Sequence, residues 1–314
     1  MMSLNIFARA NSSLLKKIFL LVFFVVIVGL VYVLATQYTA NMTKEHFLSP
    51  PVQSKKEPEQ QVKFEPEPDL KKHPELSKYQ QQRNALSREL NKMKQSYGQQ
   101  SCEQLKVLQS AGKTVDARVS ENGGWCAATS SAESTDHMWD KSFSTALSNF
   151  FKGKVVASFG DGPGLYKKHL DSLGEVISYT AFDGAPYCET VTNGVVQFLD
   201  LTAPQFGLEA YDWVISVEVG EHIPAKYEDT YLDNLVRHAK EGIVLSWALP
   251  GQSGLSHINN KELSAVIEQL NKRGFDINKS AGEPLRNAAS FKWLRANVHV
   301  YYRINPQTFV HGDV

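Results

Sequence analysis

Neither sign of charge is in excess in this chain: 33 lysines and arginines balance 33 aspartates and glutamates over 314 residues. That excludes the basic surface a general nucleic-acid binder requires, so no nucleic-acid partner is expected. Cysteine is scarce, with three in all. That is too few for a disulfide-built scaffold, and no Cys/His set falls at metal-ligand spacing, so no metal is expected. A nucleophile elbow is missing, and Ser, His and Asp occur only scattered. Also missing is the G-x-G-x-x-G of a dinucleotide oxidoreductase, because Leu165 stands where its last glycine belongs. No internal repeat is visible.

What is there is unevenly spread. Residues 18–35 run without a charge. As a helix they would span about 27 Å, close to the thickness of a bilayer core. A cleaved signal peptide is the rival reading, with Val33-Leu34-Ala35 as its cleavage site. Arg9, Lys16 and Lys17 precede the run and no charge follows until Lys44. The positive-inside rule then predicts a cytosolic tail (1–17), a transmembrane signal anchor (18–35) and a domain in the lumen of the Golgi or endoplasmic reticulum, a single-pass type II layout. Residues 36–99 read as a stalk, rich in Pro, Glu, Gln and Lys as far as about residue 75. The stalk ends in a short heptad seam of Leu76, Tyr79, Leu86, Leu90, Met93 and Tyr97. That seam either pairs two copies into a homodimer or lies along the following domain. In a lumenal setting a Cys102–Cys126 bridge is one pairing, leaving Cys188 over, and Cys188 pairing instead is another. Asn41-Met-Thr43 and Asn278-Lys-Ser280 are glycosylation sequons.

From about residue 100 the sequence turns globular. A helix is expected over 137–151, with His137, Asp140 and Lys141 in a solvated first turn or, as the rival reading, closing over a ligand. The apolar run Val155–Ala157 predicts a buried strand. It feeds Gly160-Asp161-Gly162-Pro163-Gly164 and then a helical pattern, Leu165–Leu173. Strand, glycine turn and helix together make a nucleotide-binding device. Further strands are predicted over 176–182, 195–199, 211–217 and 242–248, with helices over 225–240 and 261–273 and final strands near 275–279 and 298–303. The class is therefore α/β, a doubly wound and mainly parallel sheet. Polar groups sit at four successive strand ends: the glycine turn, Asp183, Asp200-Leu201, and Glu218 to His222. Asp183 at the tip of the second strand suits a bidentate contact to ribose hydroxyls, with the capping of a turn before Gly184 as the rival reading.

This set, with the run Tyr211-Asp-Trp-Val-Ile-Ser-Val-Glu-Val-Gly-Glu-His-Ile-Pro224, resembles the class I S-adenosylmethionine-dependent methyltransferases. With the anchor and the loop Trp247–Gln252, it resembles the animal methyltransferase-like family that includes methyltransferase-like protein 24. The resemblance covers roughly residues 100–305. It implies a seven-stranded Rossmann-like sheet, S-adenosylmethionine as cofactor and a methyl acceptor not given by the sequence. It places Gly160, Gly162 and Gly164 under the methionine part, Asp183 on the ribose, Asp200 and the Leu201 backbone at the adenine edge, and Glu218 beside the cofactor. Ala185 and Tyr187 would pack on the adenine. Ser158 stands where the family often has an acid, and Asp161 is the candidate substitute.

Methyl transfer to a hydroxyl needs alignment and removal of a proton. Candidates are His222, first choice as base, Glu221 and His257. The Glu221-His222 pair has the rival reading of holding loop structure, and His257, with Asn259, that of binding the acceptor. Trp247 reads as a core residue, with an acceptor platform as the rival reading. The lumenal layout points to a glycan hydroxyl, a secreted protein or a small molecule as acceptor. A binding module that kept the fold without turnover is the second reading, and a nicotinamide oxidoreductase the third.

Overall fold

The structure is a computed structural model that describes residues 74–127 and 138–306. The anchor, most of the stalk, the Asn41 sequon and His137 lie outside the described residues. Among the described residues no helix is long and apolar enough to cross a membrane.

Seven strands form one sheet in the order β3-β2-β1-β4-β5-β7-β6. They are β1 (Val155–Phe159), β2 (Ser178–Asp183), β3 (Val196–Phe198), β4 (Tyr211–Ser216), β5 (Ala239–Leu245), β6 (Phe275–Ile277) and β7 (His299–Arg303). The pairings among β1 to β5 are parallel. β7 inserts antiparallel between β5 and β6, pairing with both. The sheet is therefore mixed, and only its first five strands meet the mainly parallel expectation.

Both faces are covered, as the alternation along each strand requires. Val156, Tyr179, Trp213, Val244 and Val300 pack on one side with Phe143 and Leu147 of helix α2 (Lys141–Phe150) and Leu170 of α3 (Leu165–Leu173). Ala157, Phe159, Val214, Ile243 and Tyr301 pack on the other. There they meet Tyr231, Leu232 and Leu235 of α5 (Glu228–His238) and Val266 and Leu270 of α6 (Leu263–Asn271). A short α4 (Cys188–Val191) precedes β3. Two helices the sequence pattern did not announce, α7 (Lys279–Ala288) and α8 (Lys292–Asn297), lie between β6 and β7. Asp140 is buried rather than solvated. It caps α2 at the Phe143 N–H and accepts N–H groups from Ser290 and Phe291, tying α2 to the segment after α7. Asn278 likewise spends its side-chain oxygen on the N-terminus of α7.

Helix α1 (Pro74–Ser110) is 37 residues long, so the boundary drawn at residue 100 falls inside a continuous element. It lies along the domain through a polar stripe. Asn91 Nδ2 donates to the Phe198 carbonyl and Asn91 Oδ1 accepts the Asp200 N–H. Gln95 and Gln99 donate to the Pro186 carbonyl, and Ser87 exchanges hydrogen bonds with Pro204 and Phe206. Gly98 admits the Pro186 ring, where a Cβ would come within 2.7 Å. The seam residues Leu76, Tyr79, Leu86, Leu90, Met93 and Tyr97 are all exposed. The helix thus does lie on the domain, but through the face beside the seam. Cys102 on α1 is bonded to Cys126, and Cys188 is buried and free. The bridge holds the segment before residue 127 over the sheet's C-terminal edge: Gly124 sits against Gly184 and Ala185, and Gly123 against the His222 carbonyl.

Candidate functional site

In the order 3-2-1-4-5 the chain reverses direction between β1 and β4, the topological switch point where open α/β sheets bind ligands. The glycine turn is located there. Gly160, Gly162 and Gly164 all have positive φ (100°, 61° and 81°), which only glycine adopts freely. A Cβ on Gly160 would stand 2.3 Å from Val219 Cγ2, so the turn closes directly on the segment after β4.

The N–H groups of this turn are already committed. Those of Gly160 and Asp161 both donate to the Phe182 carbonyl at the end of β2. That of Gly162 donates to Asp183 Oδ2, while Asp183 Oδ1 accepts from Ala185 N–H, each at 2.8 Å. Asp183 therefore stitches the end of β2 to the glycine turn and to the loop that follows it. Its burial raises its pKa to about 6, against the opposing pull of the Ala185 and Gly162 N–H donors. Asp161 points under the turn. Its carboxylate accepts the Tyr179 hydroxyl and the Lys167 N–H, and burial raises its pKa to about 6 as well. With Ser158 and Tyr179 it forms the internal support of the turn.

Asp200 is 2 % exposed, and Leu201 is buried beside it. One Asp200 oxygen accepts from the Thr202 N–H and hydroxyl, and the other lies 3.4 Å from Lys94 Nζ. With Asn91 on its N–H, the residue is engaged on all sides by α1 and its own loop. Of the two looser candidates, Ala185 is fully buried, and Tyr187 donates to Glu103 on α1.

Beyond β4 the chain is strained. Glu218 has φ 56° and Ser256 has φ 56°. Left-handed non-glycine backbone costs on the order of 1–3 kcal/mol and persists only where neighbours over-determine it. Glu218 is held by three donors: Ser246 Oγ and Asn297 Nδ2 to one oxygen, Gln252 Nε2 to the other, each at 2.8 Å. Sequence reasoning missed all three donors. They come from the end of β5, the loop after it, and α8, about fifty residues apart at the extremes, with no motif to mark them. Tyr166 in the first turn of α3 was missed too. Burial raises its pKa, and the charges of Asp140, Asp161 and Glu218 add to the shift.

Three of the predicted residues meet. Glu221, His222 and His257 each place a ligand-type atom within 4.8 Å of the other two. The tight turn Gly220–His222 carries the first two. Gly220 lies against the Trp247 indole, whose N–H donates to the Asn259 carbonyl, and the Ile258 and Asn259 N–H groups donate to the Glu221 carbonyl. These bonds fix the loop carrying His257 over the Glu-His pair. Gly254 leaves room for the His257 ring, which a Cβ would meet at 2.1 Å. Trp247 is a core residue, as expected, at 3 % exposed. The Glu221 carboxylate is fully buried, and neither of its oxygens has a hydrogen-bond partner. Burial and the nearby charge of Glu218 hold its carboxyl far above the usual carboxylate range.

The described residues thus define an α/β protein with a Rossmann-like mixed sheet and its polar residues gathered at the switch point. No protein-family model and no curated protein sequence matches the chain. Solved structures similar to it include magnesium protoporphyrin IX methyltransferase from Synechocystis PCC 6803 with bound S-adenosylhomocysteine (16 % identity, 52 % of this chain and 84 % of that one, TM-score 0.39). The N-methyltransferase NodS from Bradyrhizobium japonicum WM9 is another (14 %, 52 % and 86 %, TM-score 0.38). A third is the amino pentose methyltransferase CalS10 from Micromonospora echinaspora (9 %, 51 % and 89 %, TM-score 0.40).

Proposed function

We propose that this chain is an S-adenosylmethionine-dependent methyltransferase. The observation that carries the reading is the positive-φ glycine turn at the switch point, bonded to Asp183 on one side and closed on Val219, next to Glu218, on the other. A sulfonium cofactor needs close backbone approach for its amino-acid part, an acid for its ribose and a polar group near the transferred methyl. Those three features stand at the ends of β1, β2 and β4. When bound, the cofactor would supply a methyl group for in-line transfer from sulfur to an acceptor oxygen, whose proton the chain would have to take up. Glu221, His222 and His257 supply the acceptor side of this arrangement.

We infer further that the domain faces the secretory lumen, on a single-pass type II anchor over residues 18–35. The Cys102–Cys126 bridge supports this, since such bonds persist in oxidising compartments. The acceptor would then be a glycan hydroxyl, a secreted protein or a small molecule. Protection of the domain from protease in sealed microsomes is the expected result, and digestion would sink the lumenal reading.

A second reading is favoured by a specific observation. Asp161, Asp183 and Asp200 all spend their carboxylates within the fold. A non-catalytic module that kept the fold would look the same. Calorimetric titration of the full chain with S-adenosylmethionine and S-adenosylhomocysteine separates binder from non-binder. Micromolar binding, about −8 kcal/mol, that is lost in Asp183→Ala supports the cofactor site. A folded chain that binds neither compound refutes it. Binding without methylation of any lumenal extract favours the module.

A further inference from the structure

We propose that Glu221, His222 and His257 form a binding site for one first-row divalent cation of the zinc, cobalt or manganese kind. Spacing along the sequence gives no sign of it, because the third donor arrives from the loop after β5. Two imidazoles and one carboxylate are the donor set such ions take, with positions left over for water or an oxygen ligand. The site stands on its own donors and does not depend on the methyltransferase reading.

Four observations converge on it. First, the three donor atoms lie within 4.8 Å of one another. Donors around one such ion, each at about 2.0–2.2 Å, stand about 3–4 Å apart, so closure requires movements on the scale of side-chain torsions. Second, each imidazole is oriented by a backbone carbonyl. His222 Nδ1 lies 3.3 Å from the Ser256 carbonyl and His257 Nδ1 lies 3.1 Å from the Gln252 carbonyl. A carbonyl can only accept, so in each pair the Nδ1 carries the proton, and the ring is oriented by a carbonyl as metal-binding histidines commonly are. The two rings sit edge to face, with centroids 5.0 Å apart.

Third, the Glu221 carboxylate is 0 % exposed with both oxygens unpartnered. A buried polar group whose oxygens find no protein partner calls for an explanation, and a bound ion is one that fits two neighbouring imidazoles. Fourth, the backbone is strained at Ser256, whose carbonyl orients His222, and at Glu218, which adds negative charge beside Glu221. Strain at both edges of one cluster is expected where geometry is held for a ligand rather than for packing. With a cation in place His222 serves as a ligand and not as a general base.

The test uses the full chain, purified, stripped with chelator and dialysed, then titrated with Co²⁺ and with Zn²⁺. One ion per chain should bind at micromolar or lower Kd, and Co²⁺ should give a visible absorption band from its nitrogen ligands. Glu221→Gln and His257→Gln should each weaken binding by at least about 100-fold, since loss even of an outer partner costs 10–100-fold. His169→Gln, far along the chain on α3, should change nothing. His257 is on a surface loop, so its variant decides the matter if Glu221→Gln fails to fold. A folded, stripped chain that binds neither ion overturns the proposal, as does binding that is unchanged in His257→Gln.

Discussion

Asp183 ties the fold to the proposed cofactor in a way that pH exposes. Its carboxyl titrates near 6 in the folded chain against an ordinary 3.8, because burial disfavours the charge more than the Gly162 and Ala185 N–H groups favour it. An acid with a raised folded pKa binds its proton more tightly when folded. Its stabilising contribution is therefore full below pH 3.8 and is lost as pH rises through about 6, by about 3 kcal/mol for a shift of this size. Cofactor binding should run the other way. Ribose hydroxyls donate to an ionised carboxylate, and at pH 5 only about a tenth of a group with this pKa is ionised. The apparent Kd scales inversely with that fraction, so S-adenosylhomocysteine should bind about tenfold more weakly at pH 5 than at pH 8.

Asp183→Asn removes the titration. One of its two backbone donors then faces an amide NH2 instead of an oxygen, so the variant should bind weakly at every pH and show a flat profile. Calorimetry at pH 5, 6, 7 and 8 on both proteins reads this directly. Asp161 also titrates near 6 but lies under the turn, so a wild-type slope that persists in Asp183→Asn would assign the effect to Asp161. That outcome, or a flat wild-type profile, refutes the ribose role of Asp183.

Three further expectations follow from packing. Gly160→Ala should cost about 2 kcal/mol or more, since its Cβ would stand 2.3 Å from Val219 Cγ2 at a φ of 100°; in a denaturation series, Val219→Ala should restore part of the loss. Breaking Cys102–Cys126, which closes a sequence separation of 24, should cost about 3–4 kcal/mol by loop entropy, read as a fall in the urea midpoint of a Cys102→Ser, Cys126→Ser variant. Asn91→Ala leaves the Phe198 carbonyl and the Asp200 N–H without their partner. It should destabilise the chain by about 2–4 kcal/mol, whereas Met93→Ala on the exposed seam should stay within about 0.5 kcal/mol.

The parts of the fold legible in the sequence are those governed by short-range patterning. The run Val155–Ala157, the alternating glycines and the strand-end position of Asp183 all depend on neighbours a few residues away, and the structure places them together. The polar docking face of α1 was not legible. Heptad spacing at Leu76, Tyr79, Leu86, Leu90, Met93 and Tyr97 reads as the buried side, yet these side chains are exposed and Ser87, Asn91, Gln95 and Gln99 make the contact. Hydrophobic periodicity cannot report a face that docks by hydrogen-bonding to loop carbonyls. The antiparallel entry of β7 between β5 and β6 was hidden for a related reason, since strand order is set by long-range pairing. Pro284 inside α7 obscured that helix, since proline in a helix interior reads as a breaker.

The same distinction explains the two sides of the candidate site. On the β1–β2 side the acids are satisfied within one strand–turn–helix–strand unit, by the Gly162, Ala185 and Lys167 N–H groups and the Tyr179 hydroxyl, and the strand and glycine pattern of that unit is enough to place them. On the β4–β5 side nothing local suffices. Glu218 needs Ser246, Gln252 and Asn297 from three other segments, and Glu221 shares its turn with His222 while His257 arrives across the Trp247–Asn259 bond. A chain selected only for stability would relax Glu218 and Ser256 out of their left-handed backbone and replace the unpartnered Glu221 with an apolar residue. Retaining all three in one cluster concentrates several kcal/mol of unfavourable terms where an ion or a reacting group would offset them. Glu221→Leu should therefore raise the unfolding midpoint of the metal-stripped chain and abolish the rise that Zn²⁺ gives the wild type. A Glu221→Leu chain that is less stable than stripped wild type would show the carboxylate to be structural.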